Sequence, residues 1–270
     1  MAASIPMPAS VMNFDETLSK LDFSIDDFKR WVNKIIRDCT RWAPWLVPVA
    51  KWMAEAIRWL VDNVGKLLSE IGKFFTRPGH PVALWENGDR WVAEVGRRAG
   101  DQVSVITVGF MNADDKWKGD AADAYLKGLP LQSGAAAQVH AVCEKMQSSL
   151  HDLALAIGGF WLGTLIAVGK VIAELIPEAA ATAAPPTAPA GLAGAVASVA
   201  AFIALWGTVV LAFHQYVTSL FEEQTNLRNQ LNDNRAFPGP PAGTWPKSTT
   251  QDFSDAVWSD HDKSDWQMRY

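Results

Sequence analysis

Two stretches limit what this chain can become. Residues 153 to 176 read LALAIGGFWLGTLIAVGKVIAELI, and residues 191 to 213 read GLAGAVASVAAFIALWGTVVLAF. The first carries Lys170 and Glu174 toward its far end, and the second carries no charge. Each exceeds the roughly 20 residues a helix needs to cross the hydrocarbon of a bilayer. The segment between them, PEAAATAAPPTAPA, has no Lys or Arg, while Lys145 precedes the pair and Arg228 follows it. That asymmetry is the pattern of a helical hairpin with both ends cytoplasmic. Gly159 and Gly163 on one stretch, and Ala193 and Ala197 on the other, recur at four-residue steps that permit close helix contact in lipid. The soluble alternative buries both stretches inside a large bundle. Both readings are helical.

The rest of the chain reads as helix too. Hydrophobic residues make up 49% and charged residues 20%, so the chain is apolar enough to fold. From Phe14 to Ile36, Leu18, Leu21, Ile25, Phe28, Trp31, Val32 and Ile35 step by threes and fours, the period of an amphipathic helix. Pro44 and Pro48 interrupt, and a second helix is expected over roughly 49–75. Between residues 29 and 77 stand ten Lys and Arg against four acids, so an acidic protein of net charge -5 has a basic front end. Trp45, Trp52 and Trp59 are seven apart, close to one line along a helix. Three readings stay open for them: ordinary core, anchors at a membrane interface flanked by cations, or a clasp over the apolar hairpin.

TRPGHP, residues 76–81, breaks the pattern. A third helix is expected over about 82–112, absorbing the β-rich run QVSVITVGF, and a fourth from near Asp120, with a bend at Pro130. The domain plan is then a disordered 1–14, basic Trp-rich helices over 15–76, a helical hairpin over 82–152, the apolar hairpin over 153–213, an amphipathic helix over 214–234, and a disordered tail over 235–270. The expected fold class is all-α, built of long antiparallel hairpins.

Between the third and fourth helices lies DDKWKGDAADAY, residues 114–125. Gly119 lacks a Cβ and can take the backbone angles that stop a helix. Asp120 can accept from the orphan N–H groups of the next helix. Trp117 can cover the end of the hairpin or project toward another protein.

WKGDAADAY resembles the signature of the WXG proteins, the ESAT-like helical hairpins handled by type VII secretion in actinobacteria and their relatives. The resemblance covers about residues 82–152. It implies a Trp-X-Gly at the turn of an antiparallel hairpin, with Trp117, Gly119, Asp120 and Tyr125 at the turn and the partner contact. It also implies pairing with a WXG partner or a second copy, contact with the secretion machinery, and a secreted or envelope location. The family's Tyr-three-acid export signal is not matched: Tyr125 leads to Leu129 and Tyr216 to Leu220. That implies export in company with a partner, or none.

Other classes find little support. The N-terminal residues have no basic start and no long apolar run, so a cleavable secretory signal is not expected. Two cysteines, Cys39 and Cys143, make no disulfide framework or metal motif. The overall charge of -5 gives no argument for nucleic acid. His140, Glu144, Gln147 and His151 share a helix face, but the outer pair lies about 16 Å apart on a straight helix, too far for one ion. No GxSxG, HExxH or phosphate loop is present, so neither an enzyme nor a cofactor is expected. The expected function is a type VII secretion-associated substrate or effector binding partners and membranes. The rivals are a pore-forming toxin and a resident structural membrane protein.

Overall fold

The computed structural model describes residues 6–106, 117–118, 120–233, 235–239, 241, 243–246 and 267–268. Seven α-helices cover nearly all of them: α1 Ala9–Met12, α2 Phe14–Trp42, α3 Ala50–Phe75, α4 Pro81–Arg90, α5 Arg97–Val105, α6 Asp120–Ala181 and α7 Ala188–Leu231. A 3-10 turn, Ala43–Trp45, precedes α3, and a π-helical segment, Trp91–Gly96, links α4 to α5. The fold is all-α. The extended structure that is described is β1 Trp117–Lys118 paired antiparallel with β2 Gln267–Met268, and a bridge between Gly239 and Thr244.

Two compact units divide the described residues. One comprises those within Ile5–Val82 and Leu153–Val217, the other those within Ala83–Asp152 and Thr218–Tyr270. The long helices α6 and α7 each contribute to both.

In the first unit, α2 and α3 bury their apolar stripes against the apolar parts of α6 and α7. Phe14, Leu21, Ile25, Phe28, Val32, Ile35 and Cys39 of α2, and Met53, Leu60, Val64, Leu67 and Ile71 of α3, enter one core. Trp161, Val168, Val171, Leu175, Leu192, Ala195, Val199 and Phe202 meet them from the hairpin. Each large side chain so buried contributes about 1.5–3 kcal/mol relative to exposure. α2 and α3 thus cover one side of the apolar hairpin, but of Trp45, Trp52 and Trp59 only Trp59 packs against that core.

Cross-contacts order the four helices. Phe28 meets Phe202 edge-on at 5.6 Å. Lys34 Nζ donates to the Ala179 carbonyl at 3.1 Å, so the C-terminal part of α2 reaches the end of α6. At the opposite end, Phe74 packs on Phe160 and Trp206, and Phe75 on Trp161. Trp161 Nε1 also donates to the Pro78 carbonyl at 3.0 Å. The α2–α3 turn and the α6–α7 loop therefore share one end of this unit.

Several sequence expectations are corrected. Residues 9–12 and 14 are helical rather than disordered: Pro8 fixes the backbone before α1, and its carbonyl accepts from Val11 N and Met12 N. Residues 1–5 lie outside the described residues. The helix expected to bend at Pro130 is continuous from Asp120 to Ala181, and α7 joins the apolar stretch to the amphipathic one. The third helix is broken by a π turn and ends at Val105; residues 107–112 lie outside the described residues. Part of the expected disordered tail is ordered. Phe237 is buried, its carbonyl accepts from Gly243 N, and Gly243 takes the positive φ of 84° that this tight turn requires. The remainder of the tail, apart from β2, lies outside the described residues.

Candidate functional site: a glycine-seated hairpin and an open apolar face

The second unit is organised by a hairpin between α4–α5 and the first half of α6. Among the described residues, five polar contacts cross it. His151 Nε2 lies 3.2 Å from the Trp85 carbonyl and 3.1 Å from Asp89 Oδ1, while its ring stacks on Trp85 at 3.7 Å. Gln147 Nε2 donates to Asp89 Oδ1 at 2.7 Å. His140 Nδ1 lies 2.7 Å from the Gly96 carbonyl, and Ser133 Oγ donates to the Val103 carbonyl at 3.3 Å.

A carbonyl oxygen only accepts, so His140 carries its hydrogen on Nδ1 and His151 carries one on Nε2. The pairs 85 with 151, 89 with 147, 96 with 140 and 103 with 133 share one midpoint, residue 118. The hairpin is therefore antiparallel with a constant register. The helices themselves end at Val105 and resume at Asp120, so the connection between them spans residues 106–119.

Glycines seat the imidazoles. A methyl group at Gly88 would come 3.0 Å from His151 Cδ2, and one at Gly96 would come 3.0 Å from Cys143 Cβ and 3.2 Å from His140 Nδ1. Gly96 closes the π segment, where Arg97 N reaches back five residues to the Val92 carbonyl. Such a widened turn re-aims local backbone groups, and here it ends at the carbonyl that His140 meets. The stripe His140, Glu144, Gln147, His151 is thus largely an interior seam. Glu144 stays outside it, with Oε1 3.4 Å from His140 Nε2. Among the described residues, no three His, Cys, Asp or Glu side chains converge as metal ligands.

The end of α7 joins this unit through Glu223, which accepts from Ser149 Oγ at 2.5 Å and Lys145 Nζ at 3.0 Å. The bonds from Ser149 and Lys145 hold its carboxyl below the usual carboxylate range. Cys39 and Cys143 are both free and buried. Burial first, and the charge of Asp38 second, raise the Cys39 thiol to about 11; burial also raises Cys143.

The turn residues divide. Trp117 lies in β1 opposite Met268, Asp120 opens α6, and Tyr125 is half-buried in its first turns. Gly119 lies outside the described residues.

The apolar hairpin presents the second candidate surface. Within α6 and α7, two segments are long and apolar enough to cross a membrane, and only 39% and 17% of their most apolar windows are buried. Outward-facing residues include Leu162, Ile166 and Ile176 on α6 and Leu205 and Leu211 on α7, with Ile166 63% and Leu211 55% exposed. Among the described residues, buried Trp206 Nε1 finds no acceptor. The small-residue stripe is largely displaced from its expected place. Gly163 faces Val209 across the hairpin, but Gly159, Ala193 and Ala197 lie on the exposed face. The close approach between α6 and α7 is at Gly191 instead, where a Cβ would stand 2.7 Å from the Glu178 carbonyl. Gly158, not Gly159, seats the Ser10 backbone.

The Trp line also separates. Trp45 lies in the 3-10 turn rather than on α3 and is 78% exposed; Trp52 is exposed, and Trp59 packs against the core. Fold and surfaces together define an all-α protein with one polar-seamed hairpin and one apolar hairpin whose helices are long and apolar enough to cross a membrane. No protein-family model, curated protein or solved structure matches the chain.

Proposed function

We propose that this chain is a WXG-like, type VII secretion-associated substrate or effector. It acts without catalysis, binding helical partners through the hairpin of residues 83–152 and membranes through the apolar hairpin of 153–213. One observation carries the reading: two membrane-length helices are held on one face by amphipathic helices and leave the other face apolar and open. A soluble bundle has no need of so large an outward apolar face, and the Trp206 N–H without an acceptor adds a further cost to the closed form. Membrane contact then replaces the α2–α3 clasp with lipid, a shift between two packings of one sequence. The secretion reading is supported by the antiparallel pairing of α4–α5 with α6 and by α6 starting at Asp120, directly after Trp-X-Gly in the sequence.

The test follows the tagged protein in cytosol, membrane and medium of its native host, with and without the type VII motor ATPase. Loss from medium or envelope without the motor is the expected result. An unchanged membrane fraction would instead identify a resident membrane protein. Trp117→Ala should lower partner binding or export more than helix content; an equal loss of both would count against docking. A second reading, a pore-forming protein, rests on the same outward face, and dye release from vesicles separates it from a passive anchor.

A further inference from the structure

The α2–α3 turn is uncharged from Ala43 to Val49, APWLVPV, and it projects. Trp45 is 78% and Val47 75% exposed, while Leu46 and Val49 pack against the core and anchor the turn from below. Pro44 and Pro48 fix backbone angles on either side of the exposed pair, so little further ordering is needed on binding. Four exposed cations flank it: Arg37 and Arg41 on α2, Lys51 and Arg58 on α3. The acids close by are Asp38, tied to Lys34 at 2.9 Å, exposed Glu55, and Glu178, next to the Ala179 carbonyl that Lys34 meets. An otherwise acidic chain thus places an apolar point between two helices whose adjoining parts carry exposed cations.

The same end of the unit carries the α6–α7 loop. Cys39 Sγ lies 4.0 Å from the Ala188 carbonyl, and Lys34 reaches Ala179. From Ala179 to Phe221 the chain contains no Asp, Glu, Lys or Arg. The loop beside these cations therefore brings no charged side chain of its own into hydrocarbon, Glu178 being the acid that precedes it.

We infer that the α2–α3 turn is a docking site for an anionic lipid surface, with Trp45 and Val47 entering the interface and Arg37, Arg41, Lys51 and Arg58 meeting headgroup phosphates. Trp suits that boundary because its ring is apolar and its N–H polar. Basic residues beside it gain from the negative surface potential of anionic lipid within a Debye length. Docking here presents the uncharged α6–α7 loop first, so the apolar hairpin enters tip-first. This inference rests on the membrane half of the proposed function and adds its lipid class, contact residues and direction of entry.

The experiment uses the full chain with vesicles of phosphatidylcholine alone or mixed with an equal amount of phosphatidylglycerol. Co-sedimentation reads binding, and resistance to alkaline extraction reads insertion. The native protein should favour the anionic vesicles, and Arg41→Glu with Lys51→Glu should weaken that binding by about thirtyfold or more. Trp45→Ser with Val47→Ser should weaken it by about tenfold, with circular dichroism unchanged because both side chains face solvent. Ala200→Arg, on the outward face of α7, should still sediment with anionic vesicles but extract fully. Equal binding to both vesicle types, or undiminished binding by the turn variants while Ala200→Arg still blocks insertion, overturns the docking site and leaves membrane insertion standing. Failure of the native protein to bind either vesicle overturns both.

Discussion

The two hairpins of this chain are held closed by opposite means. The hairpin of residues 83–152 is specified by directional contacts: His151, Gln147, His140 and Ser133 each reach a partner on the facing helix. Slipping it by one residue would leave those groups unpaired, and an unpaired buried polar group costs about 1–3 kcal/mol. The apolar hairpin is held mainly by side-chain packing, with small residues at the close approaches. Such contacts are non-directional, and apolar side chains can exchange their protein partners for lipid at little cost, which the groups of the polar seam cannot do without losing their hydrogen bonds. The difference suits one hairpin to fixed recognition and the other to a change of surroundings.

Four experiments would break or sharpen that contrast. The largest effect belongs to Ala200→Arg. Ala200 is exposed, so the soluble fold should persist, whereas a charge at mid-span costs at least about 2.5 kcal/mol and should abolish extraction-resistant membrane association. Unchanged extraction would mean that α7 never enters lipid. Phe28→Ala removes the edge contact with Phe202 and should cost the clasp about 3–5 kcal/mol by chemical denaturation. It should act oppositely on lipid, speeding insertion; slower insertion would show that the clasp assists entry rather than restraining it.

Gly96→Val should cost about 1–3 kcal/mol through overlap with Cys143 and His140. Hydrogen exchange should show the loss confined to residues 83–152, and spreading into α2 and α3 would argue against separate modes of closure. The smallest effect is that of pH on Glu223. Its folded carboxyl is held low, so its contribution is complete above the ordinary carboxylate range and is lost as pH falls through the lower, folded value. A denaturation series in that acidic range should show a shallower loss of stability in Glu223→Gln than in the native chain.

The helices α2 and α3 were readable because a stripe of Leu, Ile, Val and Phe at three- and four-residue steps has one solution, a face turned to a core. The apolar stretches were readable as helices, but hydropathy alone is symmetric around a helix and could not say which face is covered. That is why Gly159, Ala193 and Ala197 were assigned to packing while Gly158, Gly191 and Ala195 perform it. Two prolines suggested disorder near the N-terminus, yet Pro8 suits the start of a helix, where its missing N–H is not needed. Pro130 was legible as a residue but not as an interruption, since the flanking turns carry α6 through it. The seam was hardest to see. His140 and His151 share one face of the helical pattern with Glu144 and Gln147, but their glycine seats lie 44 and 63 residues upstream, and only the fold brings them together.

The constant register of the seam also bears on how such a chain can vary in length. One residue gained inside an arm, between Trp85 and Val103 or between Ser133 and His151, would turn the residues beyond it about 100° against the facing helix. Gained between Ser133 and His140, it would leave Ser133 on Val103 while His140 missed Gly96 and His151 missed Gly88. Insertions are tolerated where they leave both arms in phase: outside residues 85–151, between Val103 and Ser133, or as matched changes in the two arms. The hairpin thereby works as a ruler, and its two arms can be edited only together.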